Sequence, residues 1–335
     1  MNRCGLACAC LVALLSPAAH AASPDQSRVT VSYLLGFNIS AEFKDNTGFP
    51  STAAPGPATG GALNRTYEDG FNHVDISGNA GGKTWNWGYN NAGQLPGNDT
   101  VVMSSLAIAP APAVQDVKDD PHHGFEINYF SPLGEFGPAQ FGFEFALGYL
   151  SLKLGDTRPL TATTTRTTDA FALDGNLAPL APFAGSFAGP GPLLGDTPTR
   201  TVNTGTATIT GRRELDASLY SVRVGPVLEL PLSTGLALSV SGGLALLFID
   251  GDFSYAESVI GAPKGPRDAS ASMALARLGG YLAGGVNWQF ARNWSLFGSG
   301  QYVSVSNYSI TAGDRTARLN LGGSVFVSAG LGFSF

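Results

Sequence analysis

From Ala317 to Phe335 the chain alternates without interruption. Ala317, Leu319, Leu321, Gly323, Val325, Val327, Ala329, Leu331, Phe333 and Phe335 fall on one face. Arg318, Asn320, Gly322, Ser324, Phe326, Ser328, Gly330, Gly332 and Ser334 fall on the other. A strand turns successive side chains to opposite faces, so this run has one apolar side and one small, mostly polar side. It is longer than the usual soluble strand of about 3–10 residues. An apolar face of that length opposite small inward residues is the pattern of a wall strand in a transmembrane β-barrel.

The N-terminus adds an address. One basic residue, Arg3, precedes an apolar run from Cys4 to Leu15, then Pro17 and the small-residue site Ala19-His20-Ala21. This is the layout of a secretory signal peptide over 1–21, with 22–335 as a single mature barrel domain. All three cysteines (Cys4, Cys8 and Cys10) lie inside that signal, so disulfides cannot hold the mature chain together. The formal net charge of −6 leaves no basic footprint for nucleic acid. Charged residues are 13% of the chain, against 44 glycines and 20 phenylalanines, which suits a lipid-facing outside and a crowded interior.

Further strands are legible by period. Val29, Val31, Tyr33, Leu35, Phe37, Ile39, Ala41 and Phe43 form one face of a first strand, with Glu42 and Lys44 on the other. Tight turns at 131–140, 231–235 and 291–293 alternate with longer connections near 46–121, 155–212, 256–271 and 310–316. Outer-membrane barrels have short periplasmic turns and longer outside loops. The rhythm therefore predicts an all-β, antiparallel up-and-down barrel of eight strands with two long extracellular loops, 46–121 and 155–212. The strands would be about 29–44, 122–131, 140–154, 213–230, 236–250, 272–290, 294–309 and 317–335. The alternative is ten strands, with a transmembrane pair drawn from 83–108.

This chain resembles the small outer-membrane β-barrel proteins of Gram-negative bacteria. Members of that class commonly end in an aromatic residue preceded by alternate apolar ones, which the barrel assembly machinery reads. The matching positions here are Val327, Ala329, Leu331, Phe333 and Phe335. The resemblance covers the signal peptide and the strands but not the two long loops. It implies residence in the outer membrane, in contact with outer-membrane lipid and lipopolysaccharide.

An eight-stranded ring leaves an interior that side chains fill. The face assignment places Glu42, Glu126, Glu144 and Glu229 inside with Lys44, Arg223, Arg277 and Arg318. Charges in so narrow a space are costly unless paired, so a salt-bridged plug is expected in place of a pore. The runner-up is a narrow channel for small solutes. No catalytic constellation is expected: His122 and His123 sit at the outer rim beside Asp119 and Asp120, but no spacing ties a nucleophile to them. Asp250-Gly251-Asp252 is read as turn chemistry without a full metal-ligand loop, and no cofactor is called for. The remaining role is structural, or capture of an extracellular ligand by the loops. Trp85, Trp87 and Tyr89 alternate in the first loop and could form a ligand-facing platform, although packing accounts for the same pattern.

Overall fold

In the computed structural model, described for residues 26–97 and 99–335, eight antiparallel strands close into a ring. They are β1 (Arg28–Phe37), β2 (His122–Phe136), β3 (Ala139–Asp156), β4 (Thr199–Ser233), β5 (Leu236–Ile260), β6 (Arg267–Gln289), β7 (Trp294–Val305) and β8 (Ser324–Ser334). Each pairs with its chain neighbour, and the ring closes where β1 meets β8, from Arg28↔Ser334 to Phe37↔Val325. The expected signal peptide lies outside the described residues.

Eight strands, not ten, cross the barrel wall. Thr100–Ile108 pairs with Leu160–Ala172, which pairs in turn with the Thr199–Ile209 end of β4. This three-stranded ladder continues the wall outward and adds no transmembrane pair. It also shortens the second loop. Residues 199–212, read from sequence as loop, belong to β4, because their β-branched threonines suit a strand even where both faces meet water.

Outward side chains along the ring form an apolar belt that includes Tyr33, Phe125, Phe145, Tyr220, Leu244, Leu282, Leu296 and Leu331. Above the belt, three neighbouring strands break at one level. Asn38 takes φ 58° after β1 and Gly323 takes φ 85° before β8, while Ser306 and Asn307 interrupt the seventh strand. Asn38 Nδ2 donates to Gly323 O at 3.0 Å, and Leu321 N donates to Asn307 Oδ1 at 3.2 Å, tying the three breaks together. Beyond them Ser40–Asp45, Arg315–Asn320 and Tyr308–Ala312 form a separate sheet with Val114–Val117.

The break reverses which side chains face inward. Ile39, Ala41 and Phe43 are buried, as are Ala317, Leu319 and Leu321. These six were expected on the lipid face. Glu42, Lys44 and Arg318, expected in the lumen, instead point outward, with Glu42 directly across from Arg318. The physical cause is the left-handed residue at Asn38 and at Gly323, which shifts the pleat by one position.

Candidate functional site

From the periplasmic end outward, the barrel interior is stacked in layers. At the bottom Arg28 is ion-paired with Glu229, and its guanidinium lies 5.2 Å from the centroid of the Phe130 ring. The next layer centres on Arg223. Its Nη2 donates to Glu126 Oε2 at 2.8 Å, and its Nη1 lies 3.4 Å from Glu144 Oε1. Gln301 Nε2 donates to Glu126 at 3.0 Å, while Ser241 Oγ and Asn128 Nδ2 donate to Glu144 at 2.8 and 3.1 Å. The Tyr281 ring stacks 4.7 Å from the Arg223 guanidinium. Five of the eight expected lumen charges are thus inside: Glu126, Glu144, Arg223, Glu229 and Arg277. The first four are paired. Arg277 faces inward from β6 and makes no salt bridge with any described residue.

Above these layers the interior is apolar. Leu34, Leu150, Leu152, Leu219, Leu247, Val303 and Phe326 close it as part of one continuous core. One cavity of about 20 Å³ lies between the Arg28 and Arg223 layers and another of about 20 Å³ between the Arg223 layer and the apolar one, each with room for a single water molecule.

A third ionic layer, which the sequence reading missed, caps the apolar one. Arg315 reaches Asp45 at 2.6 Å and Glu257 at 2.8 Å, and Arg213 reaches Glu257 at 2.6 Å and Asp156 at 3.0 Å. Asp314 accepts from Tyr255 Oη at 2.7 Å and pairs with Arg267. Burial alone would raise the Asp314 carboxyl. The Tyr255 and Thr47 hydrogen bonds and the Arg315 and Arg267 guanidinia outweigh it and hold Asp314 below its ordinary value. Burial, with the hydrogen bond to Asp314, pushes Tyr255 up to about 12. The signal that could have found this layer is the position of Asp45 and Arg315, which share odd parity with the buried residues beyond each break.

The two long loops fold together on top. Tyr67, Trp87, Tyr89, Val101, Met103, Phe171, Leu173 and Leu194 form a separate core. Beneath it Asp169, fully buried, takes two hydrogen bonds from Arg200 at 2.7 Å and one from Tyr67. Burial and the Asp169 carboxylate push the Tyr67 phenol strongly upward. Buried Arg65 donates to Asp196 O at 2.9 Å and Gly60 O at 2.6 Å, pinning one loop to the other.

Within this head Trp87 and Tyr89 are core residues, 0% and 1% exposed, and are not a ligand-facing platform. Trp87 Nε1 donates to Pro192 O, and both rings stack on each other at 5.9 Å. Only Trp85 of the three reaches the surface in part, its indole donating to Phe187 O and lying against Gly189. His122 is buried 3.6 Å from Asp120, and burial lowers its pKa despite that carboxylate. His123 turns outward, 2.7 Å from Tyr33 Oη.

A closed eight-strand ring, an outward apolar belt and an interior filled by alternating ionic and apolar layers define an integral outer-membrane β-barrel, and the chain is a protein of that class. No family model matches it, and no curated protein matches it. Among solved structures it is similar to Ail, the attachment invasion locus protein of Yersinia pestis, in complex with the heparin analogue sucrose octasulfate. That match has 11% identity, covers 92% of this chain and 99% of that one, and has a TM-score of 0.28. It is also similar to the outer-membrane protease OmpT of Escherichia coli, at 9% identity over 93% and 98% of the two chains with a TM-score of 0.34. A Pseudomonas aeruginosa FadL homologue matches at 10% identity over 92% and 90%, with a TM-score of 0.18. At these values the likeness reaches no further than the barrel fold.

Proposed function

We propose that this protein is a non-conducting outer-membrane barrel that holds an ordered head at the cell surface for ligand capture. The observation that carries the reading is the contrast between lumen and loops. The lumen is filled by three ionic layers and an apolar one, whereas the loops have a core of their own and leave apolar side chains outside it. Ile76 and Phe187 are 63% and 58% exposed, and Ile76 N donates to Phe187 O at 3.0 Å. Trp85 anchors to the same Phe187 carbonyl at 3.2 Å. An aromatic and aliphatic group on a rigid scaffold is the composition of a recognition surface. Around the wall the belt contacts outer-membrane lipid and lipopolysaccharide, and Val327, Ala329, Leu331, Phe333 and Phe335 serve barrel assembly.

The reading is tested in two arms. Planar-bilayer recordings should show no porin-sized step, and such a step would overturn the sealed lumen. Cells displaying the triple variant Ile76→Ser, Trp85→Ala, Phe187→Ser should lose capture on arrays of immobilised glycans and polypeptides, while the barrel stays heat-modifiable. An array pattern unchanged from wild type would remove the head from the function.

A further inference from the structure

Where the seventh strand turns aside, the wall is left with an open edge. β6 pairs with β5 from Glu257↔Arg267 to Leu236↔Trp288, but with β7 only from Gly279↔Val305 to Gln289↔Ser295. Past Val305 the chain breaks at Ser306 and Asn307, and Tyr308–Ala312 joins the separate sheet instead. The outer part of β6, Arg267–Leu278, therefore has a partner strand on one side alone. Tyr308 Oη donates to Met273 O at 2.7 Å, and no backbone bond from a described residue pairs the open side. Leu278 and Leu282 point outward in the apolar belt, so the stretch beyond them stands in water.

An unpaired edge is a template for another chain, and proteins usually blunt it with a charge, a proline or a bulge. Between Ala269 and Ala276 this edge reads Ala-Ser-Ala-Ser-Met-Ala-Leu-Ala, with no charge and no proline. Its register against β5 runs unshifted throughout, so no bulge twists it away.

The outward side chains beside the edge narrow the class of partner. Asp268 lies on the edge strand itself, while Asp252 and Asp250 lie one strand in, across from Ser272 and Ala274. All three are exposed, and none makes a salt bridge with a described residue. Ser272 and Ala274 are small, so a lysine or arginine on an added strand can lie across them and reach those carboxylates. A second copy of this edge would bring its own Asp268 and no outward base. Strand addition draws affinity from the backbone and specificity from alternate side chains. We infer that the outer segment of β6 takes up an extended cationic peptide by strand addition, its alternate lysines or arginines lying over Asp250, Asp252 and Asp268. This edge is separate from the capture surface on the head.

The test uses the full mature chain folded in detergent micelles. The probe is a fluorescent peptide of about ten residues alternating lysine and valine. Binding is read by anisotropy, and its place by hydrogen exchange resolved along β6. Saturable binding is expected, with exchange slowed within 267–278. Asp252→Asn combined with Asp268→Asn changes two exposed side chains outside the core and should weaken binding about tenfold. The same peptide N-methylated at alternate residues keeps its charge but loses its edge-facing donors, and should not bind. The triple head variant should bind the peptide like wild type, so loss of the head role and loss of this site are told apart. Absence of saturable binding to heat-modifiable protein would overturn the inference. So would equal binding of the N-methylated peptide, equal binding by the double variant, or protection confined to other segments. Sedimentation showing peptide-free dimers with 267–278 already protected would assign the edge to a second copy and overturn it too.

Discussion

Strands β3 to β6 and strands β1, β7 and β8 solve the same problem in two ways. Each strand leaves lipid, where the apolar side must face outward, and enters water, where it must face inward. In β3 the backbone runs straight and the side chains change roles. Phe141, Phe143, Phe145 and Leu147 face lipid, then Leu150, Leu152 and Leu154 face the core on the opposite parity. In β5 the same exchange runs from Leu238, Val240 and Leu244 outside to Ala245, Leu247 and Ile249 inside, with Asp250 and Asp252 taking the outer face. In the strand of β8 the apolar parity never changes. The backbone does, at Gly322-Gly323, so one unbroken odd series is buried before the break and lipid-facing after it. The level of the inversion thus marks the outer membrane boundary on both halves of the barrel.

Charges placed along β3 should locate that boundary. Leu152→Glu puts an unpaired carboxylate into the apolar layer, where Leu152 is 1% exposed, and should cost about 3–5 kcal/mol. Phe145→Lys, on the lipid face, should cost about 2–4 kcal/mol. Lys153→Gln, outward but beyond the inversion, should stay within about 0.5 kcal/mol. Urea unfolding in lipid vesicles measures all three. If Phe145→Lys costs no more than Lys153→Gln, the outer face at Phe145 is not in lipid and the boundary is misplaced.

The same contrast explains what could be seen in the sequence. Eight strands and their order were legible because lipid imposes period two over long runs, and the short and long connections alternate. The lumen pairs Arg223–Glu126 and Arg28–Glu229 were legible in part, since Glu126, Arg223 and Glu229 lie in unbroken stretches. Glu42, Lys44 and Arg318 were assigned to the wrong face because a period-two reading carries no mark of a one-residue pleat shift. Asn38 and the pair Gly322-Gly323 were the only local hints, being residue types that adopt positive φ. In the head, Trp87 and Tyr89 alternate as a strand would, but their burial depends on Phe183 and Leu194, about a hundred residues away. No local pattern carries that contact.

If the break rather than side-chain order sets the fold of β8, it should be sensitive to backbone chemistry where β3 to β6 are not. Gly323 takes φ 85°, a region costly for β-branched residues, so Gly323→Val should destabilise by about 1–3 kcal/mol. Gly323→Asn should be milder, because Asn tolerates that conformation. Gly300→Ala on the lipid face, where an added Cβ meets open space, should change stability by no more than about 0.5 kcal/mol. Thermal midpoints of heat modification rank the three. Equal midpoints for Gly323→Val and Gly300→Ala would mean that the pleat shift is held by something other than the glycine.

The smallest expected effect concerns how the broken strands are clamped above the membrane. Asp314 sits in the turn between Tyr308–Ala312 and Arg315–Asn320 and bonds Tyr255 on the unbroken β5, so it joins the two kinds of strand. Its folded carboxyl lies below the ordinary value of 3.8, so its contribution is present above that pH and is lost as pH falls through the lower folded value. Tyr255 runs the other way: raised from 10.0 to about 12, its contribution is full below pH 10 and disappears as pH rises through about 12. The stability gap between wild type and Asp314→Asn, measured by urea midpoint, should therefore be constant near neutrality and shrink below about pH 4. The gap for Tyr255→Phe should shrink on the alkaline side, above about pH 10. A gap for Asp314→Asn that stays level down to pH 2 would show that the turn is not clamped through an ionised carboxylate, and that the broken strands are held by their apolar inward face alone.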